Sequence, residues 1–567
     1  MNARTLALAL TAAAWLNPLY AQFGETVEVR VTNVEAIVTD RSGKPVPGLT
    51  RDDFEIYENG VRQEISNFAE IREEAPSATM NTVATDNAAG TAAVRPDVRR
   101  RLITVFIDNA SLEVGNRAAI LPQLRRFLTE HVRPGDGVSI AVWGGNALTV
   151  ELEPTSDRAA IAAAVERLAG RTTRPAGDWR SQMSTELNAV ISAYAGRTSP
   201  ACRGGADCVA EKPPFSIGLG IASSYANRAA TEMRQKSAAI QSVIASLRGV
   251  EGRKILVLLT QSLSRNPGEE PLQILDTIKE QFGGEGRTFN PMSEARIHDV
   301  MGIEREIAAA ANGSGITLYP IHAAGKFADS DFLDPSVSTS ISSRPVLRND
   351  TTTPTLQAVA ADTGGVALIG STNWQLAFDT IANDLNTYYS LGYRTSGERQ
   401  DRMKNVDVRL KNKRYTIRTR KAVVEQTASS EMSDSVMANL FFANTNNDLA
   451  IKATPGTATA AADGTLVLPL TITIPMQTLT LLPDGEDLVG RYSVFAAFLR
   501  QDGAVSRVAN QTQQFRFPAS SLARRKELTV KLDVTTDART GAISVGVVDE
   551  TSRATGYTLV KLAQPAQ

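Results

Sequence analysis

Asp108 is the residue whose position most strongly suggests chemistry. It ends an apolar, β-branched run at residues 101–108, which predicts a strand buried on both faces. Parallel α/β sheets bind their ligands at the carboxyl ends of such strands. A carboxylate at that point can ligate a cation or a partner, and it can equally cap the turn or helix that follows. Both interpretations of Asp108 stay open.

A second apolar run, at residues 253–260, ends in the same way, with Gln261 and Ser262 directly after it. Because the carboxyl ends of neighbouring parallel strands meet at one edge of a sheet, these residues should lie close to the loop after the first run. Ser111 and Glu113 are the polar residues of that first loop. The sequence therefore predicts one binding crevice above Asp108, lined by both loops.

Signatures of catalysis are absent from the sequence. The chain has three histidines, His131, His298 and His322, and none is part of a metal-binding spacing such as His-Glu-x-x-His. The sequence contains neither a Gly-x-Ser-x-Gly elbow nor a phosphate loop ending in Gly-Lys-Ser/Thr. The carboxylates at residues 484–487 match no EF-hand and are typical of a solvated turn. We therefore expect a protein that is not an enzyme.

Composition excludes some partners. The 567 residues predict roughly three to four domains. Lys plus Arg number 60 and Asp plus Glu number 61, so no net electrostatic field favours nucleic acid or an anionic membrane. Nucleic acid is therefore not an expected partner.

The N-terminus predicts export. Residues 1–21 combine an early positive charge, a short apolar segment and a small residue at Ala21, which is typical of a cleaved signal peptide. The protein is then secreted, periplasmic or held at the cell surface, with no transmembrane segment after cleavage. In an exported chain the close spacing of Cys202 and Cys208 favours a local disulfide, since two cysteines alone leave a zinc site half built.

Patterning along the chain predicts several units. Alternating apolar residues indicate β-structure at both ends, and short apolar strands alternate with helical segments between them. The predicted fold class is α/β, a doubly wound and mostly parallel sheet flanked by N-terminal and C-terminal β-rich domains. The predicted boundaries are 25–72 for a β-rich unit, 73–100 for a linker, 101–395 for the α/β domain with an irregular insertion at 171–220, 396–424 for a β-hairpin extension, and 436–567 for a β-sandwich-like domain.

The order of elements in residues 101–393 resembles a von Willebrand factor type A domain. Two further segments restrict the resemblance to a smaller group of proteins. They are residues 38–60, with an Asp-Arg-Ser-Gly-Lys-Pro-Val-Pro-Gly turn, and the Tyr-Tyr-Ser-Leu-Gly-Tyr run at 388–393. Together these segments are similar to the exported VWFA-related domain proteins of Acidobacteria-type bacteria. The resemblance covers about residues 25–424.

This resemblance implies a metal-ion-dependent adhesion site built from an Asp-x-Ser-x-Ser loop, a distant Thr and a later Asp. Asp108 matches the first position. Ala110 and Leu112 stand where the two hydroxyls belong, and Ser111 is one residue out of step. Gln261 and Ser262 replace the later Asp, and the distant Thr is expected at Thr172 or Thr173.

A site so altered should hold Mg²⁺ or another divalent cation only weakly, through Asp108, Ser111 and Thr173. No other cofactor is expected. The resemblance implies an exported protein–protein interaction or adhesion module with a degenerate adhesion site, acting on a protein partner whose identity the sequence does not reveal. The alternatives are an exported hydrolase with catalytic residues that local spacing does not identify, and an assembly or structural factor of the cell envelope.

Overall fold

The computed structural model describes residues 31–72, 100–171, 179–194, 214–279, 288–324, 352–370, 373–394, 401–442, 446–460, 466–500, 505–536 and 540–562. The predicted signal peptide, residues 73–99 of the predicted linker and the predicted disulfide at Cys202 and Cys208 lie outside these ranges. The same holds for Thr172 and Thr173.

Strands and helices alternate in the middle of the chain, and strands dominate both ends. The strands are β1 Val31–Thr39, β2 Phe54–Glu58, β3 Val61–Gln63, β4 Ile65–Arg72, β5 Arg101–Asp108, β6 Gly137–Trp143, β7 Leu148–Thr155, β8 Arg253–Thr260, β9 Ile316–His322, β10 Thr387–Arg394, β11 Arg402–Leu410, β12 Thr416–Thr419, β13 Ala422–Glu425, β14 Lys452–Pro455, β15 Thr459–Ala460, β16 Leu466–Pro475, β17 Leu482–Asp484, β18 Asp487–Arg500, β19 Ala509–Pro518, β20 Glu527–Thr536, β21 Thr540–Asp549 and β22 Thr555–Lys561. The helices are α1 Val114–His131, α2 Arg158–Ala169, α3 Trp179–Tyr194, α4 Phe215–Ser246, α5 Glu269–Ile278, α6 Pro291–Ile297, α7 Ile303–Gly313, α8 Thr352–Thr363, α9 Trp374–Asn386 and α10 Ala428–Asn439.

A five-stranded mixed sheet with the order β7-β6-β5-β8-β9 forms the middle of the molecule. β6, β5, β8 and β9 are parallel, and β7 is an antiparallel edge strand. Every residue of β5 is buried, because that strand is central and helices cover both faces of the sheet. Ile107 pairs with Leu259, and this register puts Thr260 level with Asp108 at the carboxyl edge.

Two apolar cores lie on opposite faces of this sheet. α1, α2 and α9 cover one face, and the second half of α4 with α7 and α8 covers the other. α1 illustrates the cause, since Ile120, Leu124, Phe127 and Leu128 recur at helical spacing and are all buried against the sheet. The two layers of helices hold the strand ends in a fixed arrangement.

α4 is much longer than the sheet is tall. Its 32 residues span about 48 Å at 1.5 Å per residue, whereas the eight residues of β8 span about 26 Å. The first half of α4 packs with α3, α5 and α6 around a separate apolar core, and we call this group the helical lobe. α3 and the start of α4 fall within residues 171–220, so the prediction that this segment is irregular is wrong where these helices lie. No helix in the described ranges has both the length and the apolar character needed to cross a membrane.

The N-terminal strands do not form a unit of their own. β10, which was predicted inside the α/β domain, pairs instead with β1 and β4, and the resulting antiparallel sheet has the order β12-β1-β10-β4. A second sheet, β13-β11-β2-β3, shares its apolar core. The predicted boundaries at residues 72 and 396 therefore divide a single β-unit, because strand partners far apart in sequence leave no local signal.

α10 links the central sheet to the C-terminal strands. Ala438 and Phe442 contact the core beneath α4, whereas Met432 and Val436 pack on β18, β21 and β22. The C-terminal strands form two antiparallel sheets with one shared core. α10 crosses the predicted start of the C-terminal domain at residue 436.

The predicted fold class, a doubly wound and mostly parallel sheet, is wrong for this chain. Four of the five sheets in the described ranges are antiparallel throughout, and the central sheet is the one mixed sheet among them. The prediction rested on the alternation of strands and helices in the middle of the chain. The strands of the other four sheets pair with antiparallel neighbours, so the chain as a whole is a β-rich fold.

The turn between α4 and β8 provides a test of how α10 docks. Gly249 has φ +75°, and a Cβ there would lie 2.4 Å from the carbonyl carbon of Asp434 in α10. We expect Gly249→Ala to lower the free energy of unfolding by at least about 2 kcal/mol. That value is the upper end of the cost of placing a Cβ-bearing residue in the left-handed conformation, and the clash with α10 adds to it. Calorimetry should show the loss, whereas Gly115→Ala, which meets nothing within 4 Å, should not lower stability. Equal stability of both variants would contradict this docking geometry.

Candidate functional site

The loops after β5 and β8 meet around the carboxylate of Asp108. Ser111 Oγ donates a hydrogen bond to Asp108 Oδ2 at 2.6 Å, and Thr260 Oγ1 donates to the same oxygen at 2.7 Å. The backbone N–H of Gln261 donates to Ser111 Oγ at 3.0 Å and closes the contact between the loops. The structure thus brings together Asp108, Ser111 and Gln261 at this edge and adds Thr260.

Lys236 supplies a positive charge at the same point. Its Nζ lies 2.6 Å from Asp108 Oδ2 and donates to the carbonyl oxygen of Ser262 at 2.7 Å. Asp108 is 0% exposed and Lys236 is 1% exposed. The two side chains form a buried, charge-neutral ion pair, and both partners also hydrogen-bond to neighbouring oxygens or hydroxyls, which is the condition for burying charges without a large penalty.

Sequence reasoning missed Lys236 because it lies on α4, far along the chain from Asp108. A signal was present nevertheless. Met233, Lys236, Ser237 and Ile240 follow the i, i+3, i+4, i+7 spacing of the buried face of a helix, and all four are buried. A lysine on such a stripe is rarely buried unless it is paired, so it indicates a partner of opposite charge elsewhere in the chain.

Glu113 and His322 complete the contacts of Gln261. The side-chain Oε1 of Gln261 accepts the backbone N–H of Glu113, and its carbonyl oxygen lies 3.2 Å from His322 Nε2. The carboxylate of Glu113 is exposed at the rim and does not reach Asp108. Ser262 contributes to the site through its carbonyl oxygen rather than through its hydroxyl.

Arg117 fixes the Asp108 loop from the opposite side. Its guanidinium donates to Asn109 Oδ1 at 2.9 Å and to the carbonyl oxygens of Leu168 and Ala169 at 2.8 and 3.0 Å. These carbonyls end α2, where a cation is favoured by the helix dipole. Burial lowers the pKa of Arg117 below its ordinary value. The loop is therefore held between α2 on one side and α4 on the other.

The residues present do not fit a divalent cation. Asp108 Oδ2 already accepts from two hydroxyls and an ammonium, and that ammonium would repel a metal ion at the same oxygen. Ala110 and Leu112 are buried at the two positions where a metal would need hydroxyl oxygens. In the described ranges, no three His, Cys, Asp or Glu side chains are grouped as a metal site.

A cavity of about 310 Å³ opens beside the site, where the helical lobe meets the sheet edge. Gly145, in the turn after β6, connects it to the Asp108 loop, since a Cβ at that glycine would lie 3.3 Å from Ala110 Cβ. We call it the lobe pocket, and it is lined by Gly145, Trp179, Asn227, Arg228, Thr231, Glu232 and Gln235. A larger cavity of about 810 Å³, between β11, β12 and α8, is lined by none of the predicted site residues.

Trp179 is the aromatic centre of the lobe pocket. Its ring lies 5.0 Å from that of Tyr225, and the guanidinium carbon of Arg180 stands 4.6 Å from the centre of its ring. Arg180 also pairs with the buried carboxylate of Glu232. Arg228 lies 5.9 Å from the same ring and is exposed, and no ion pair involves it among the described residues. Within the described ranges the pocket therefore presents an aromatic surface and one arginine without a carboxylate partner.

Comparison with known proteins does not identify the chain. No family model and no curated protein matches it. Among solved structures it is similar to the human COPII-coat protein Sec24c, with 9% sequence identity and a TM-score of 0.19. The match covers 62% of this chain and 46% of that protein, so the chain spans less than half of its length. A similarity this weak supports no conclusion about fold or function.

The buried ion pair can be tested by removing the cation alone. Lys236→Met leaves Asp108 charged and unpaired, and breaking such a pair on one side costs about 3–5 kcal/mol. Calorimetric unfolding should show this loss, whereas Arg234→Met, at an exposed position on the same helix, should be nearly neutral. The double variant Asp108→Asn with Lys236→Met should recover part of the loss, because it leaves no buried charge. A Lys236→Met protein as stable as the wild type would refute the pair.

Proposed function

We propose that this chain is a metal-independent protein-recognition module. Its binding surface is the crevice between the helical lobe and the carboxyl edge of the central sheet. The observation that carries the proposal is the buried ion pair between Asp108 and Lys236, which neutralises the carboxylate inside the protein. Partner binding then depends on the side chains around that pair. The pair itself holds the loops after β5 and β8 in place.

The adhesion mechanism implied by the von Willebrand A resemblance requires an accessible metal completed by an acidic group of the partner. Asp108 is 0% exposed, and its charge is already balanced by Lys236. An acidic partner group therefore needs a different cation. The exposed guanidinium of Arg228, in the adjacent lobe pocket, is the group that meets this need.

The composition of the lobe pocket favours a protein ligand. Trp179 and Arg228, which line the pocket, belong to the residue types that carry most of the binding energy in protein interfaces. The guanidinium of Arg180 packs on the ring of Trp179 and pairs with Glu232. The aromatic surface is therefore held in place before a ligand arrives. An acidic side chain beside an apolar one is the ligand that these groups complement.

Exposed apolar side chains extend the surface beyond the pocket. Val114 begins α1 at the rim of the Asp108 loop and is 71% exposed. Met301 is 72% exposed, and the preceding Val300 N–H donates to the carbonyl oxygen of Arg265 in the loop after β8. Large apolar residues at the rim of a polar crevice are a feature of protein interaction sites.

Catalysis is the weaker interpretation of the same residues. Ser111 is the nucleophile candidate nearest the centre of the crevice, but its hydroxyl donates to Asp108 and accepts from the Gln261 N–H. His322 approaches Gln261 through Nε2, so that nitrogen is engaged with a carbonyl oxygen. A serine without an adjacent free base is poorly activated. We therefore place binding ahead of hydrolysis.

Selection from a random peptide library displayed on phage tests this proposal. Enriched peptides, made synthetically with a fluorescent label, should contain Asp or Glu next to an aromatic or aliphatic residue. Their affinity, measured by anisotropy, should not change on adding EDTA. Arg228→Glu and Trp179→Ala should each weaken binding at least tenfold, while Arg524→Glu, an exposed arginine of the C-terminal β-unit, should leave it unchanged.

Two results would overturn the proposal. Binding that disappears in EDTA and returns with Mg²⁺ would show a metal-dependent site. Binding that survives both pocket substitutions, with calorimetry showing that the variants are folded, would place the recognition surface elsewhere on the chain.

A further inference from the structure

Two cations meet at the amino end of the central sheet, opposite the end that carries Asp108. Lys254 is the second residue of β8 and pairs with Ile316 at the start of β9. Arg420 lies between β12 and β13 and donates to the carbonyl oxygen of Gly315 at 3.3 Å. A Cβ at Gly315 would lie 3.1 Å from Arg420 Nη1 and 4.0 Å from Lys254 Nζ. The guanidinium and the ammonium therefore converge on a residue that has no side chain.

The carboxylates nearest to these two cations already have other partners. Glu35 lies 3.3 Å from the Nε of Arg253, which is fully buried. Asp434 lies 3.8 Å from the Nε of Arg248. Among the described residues, neither carboxylate forms an ion pair with the two converging cations. Two carboxylates are therefore shared among more cations than they can balance.

Burial makes this excess of positive charge unfavourable. The side chains of Lys254 and Arg420 are both half-buried. Burial lowers the pKa of Lys254 to about 8, and the charge of Arg420 acts in the same direction. The carboxyl end of α7, next to Gly315, supplies only about half a negative charge. An anion taken from solution would complete the balance.

We propose that Lys254 and Arg420 bind a phosphate group beside Gly315. The two side chains supply the two kinds of cation that bind phosphate in proteins. A guanidinium donates parallel hydrogen bonds to two oxygens, and an ammonium acts as a compact point charge. A phosphate group carries about −1.5 to −2 charges at pH 7, so one group can balance both cations.

A bound phosphate group would also join two parts of the molecule. Lys254 belongs to the central sheet, whereas Arg420 lies between strands of the two N-terminal β-sheets. A ligand held by both side chains stabilises the folded chain in proportion to its occupancy. The site lies at the other end of the sheet from the lobe pocket and does not depend on the function proposed there.

The test is isothermal titration calorimetry of the full chain with inorganic phosphate, at an ionic strength kept constant with NaCl. One phosphate should bind per chain, and the melting temperature should rise with phosphate concentration. Lys254→Met and Arg420→Met should each weaken binding at least tenfold. Lys421→Met removes the exposed lysine next to Arg420 and should bind phosphate like the wild type.

Melting of the variants without phosphate separates a binding role from a structural one. Lys254→Met should melt no lower than the wild type, because it removes a half-buried cation that has no carboxylate partner among the described residues. Failure of both Lys254→Met and Arg420→Met to fold would show that the two cations are structural, and it would overturn the proposal.

Phenyl phosphate distinguishes the sources of the group. If it binds as well as inorganic phosphate does, the site accepts phosphate monoesters; if inorganic phosphate alone binds, the ligand is the free ion. Both results support the proposal. No binding at millimolar phosphate, or an equal rise in melting temperature with NaCl alone, would overturn it, because the cations would then be balanced without a specific ligand.

Discussion

The ion pair between Asp108 and Lys236 is the contact on which the organisation of the carboxyl edge depends. It joins the end of the central strand β5 to the long helix α4, which also forms part of the helical lobe. Because both groups are fully buried, removing either one leaves the other as an unpaired charge in the protein interior. Together with the apolar packing of α4 on the sheet, the pair therefore helps to hold the lobe against the carboxyl edge, beside the lobe pocket.

Much of the site could be predicted from the sequence. Asp108 ends one recognisable buried strand, and Ser111, Gln261 and Ser262 lie in the loops after two such strands. Lys236 could not be paired with Asp108 in advance, because helix periodicity shows that a residue is buried but not which residue it meets. The same limitation affected the fold. β5 was recognisable from its own composition, whereas the pairing of β10 with β1 depends on residues more than three hundred positions apart.

The function of an internal ammonium differs from that of an exchangeable metal. A metal at an adhesion site makes binding depend on the ionic environment and offers a coordination position to the partner. A lysine does neither, so the site becomes a fixed structural element. In the function proposed above, recognition takes place at the rim, where Val114 and Arg228 are exposed and Trp179 lines the lobe pocket. A fixed centre with accessible side chains around it is consistent with a binding module whose specificity is set by helix residues at the rim.

Anomalous diffraction from crystals of the wild-type protein soaked in MnCl₂ tests the central claim most directly. Lys236 Nζ should remain within hydrogen-bonding distance of Asp108 Oδ2, with no anomalous peak at that carboxylate. A manganese peak coordinated by Asp108, with the lysine turned away, would contradict the account, because the ammonium would then be a replaceable occupant of an ordinary metal site.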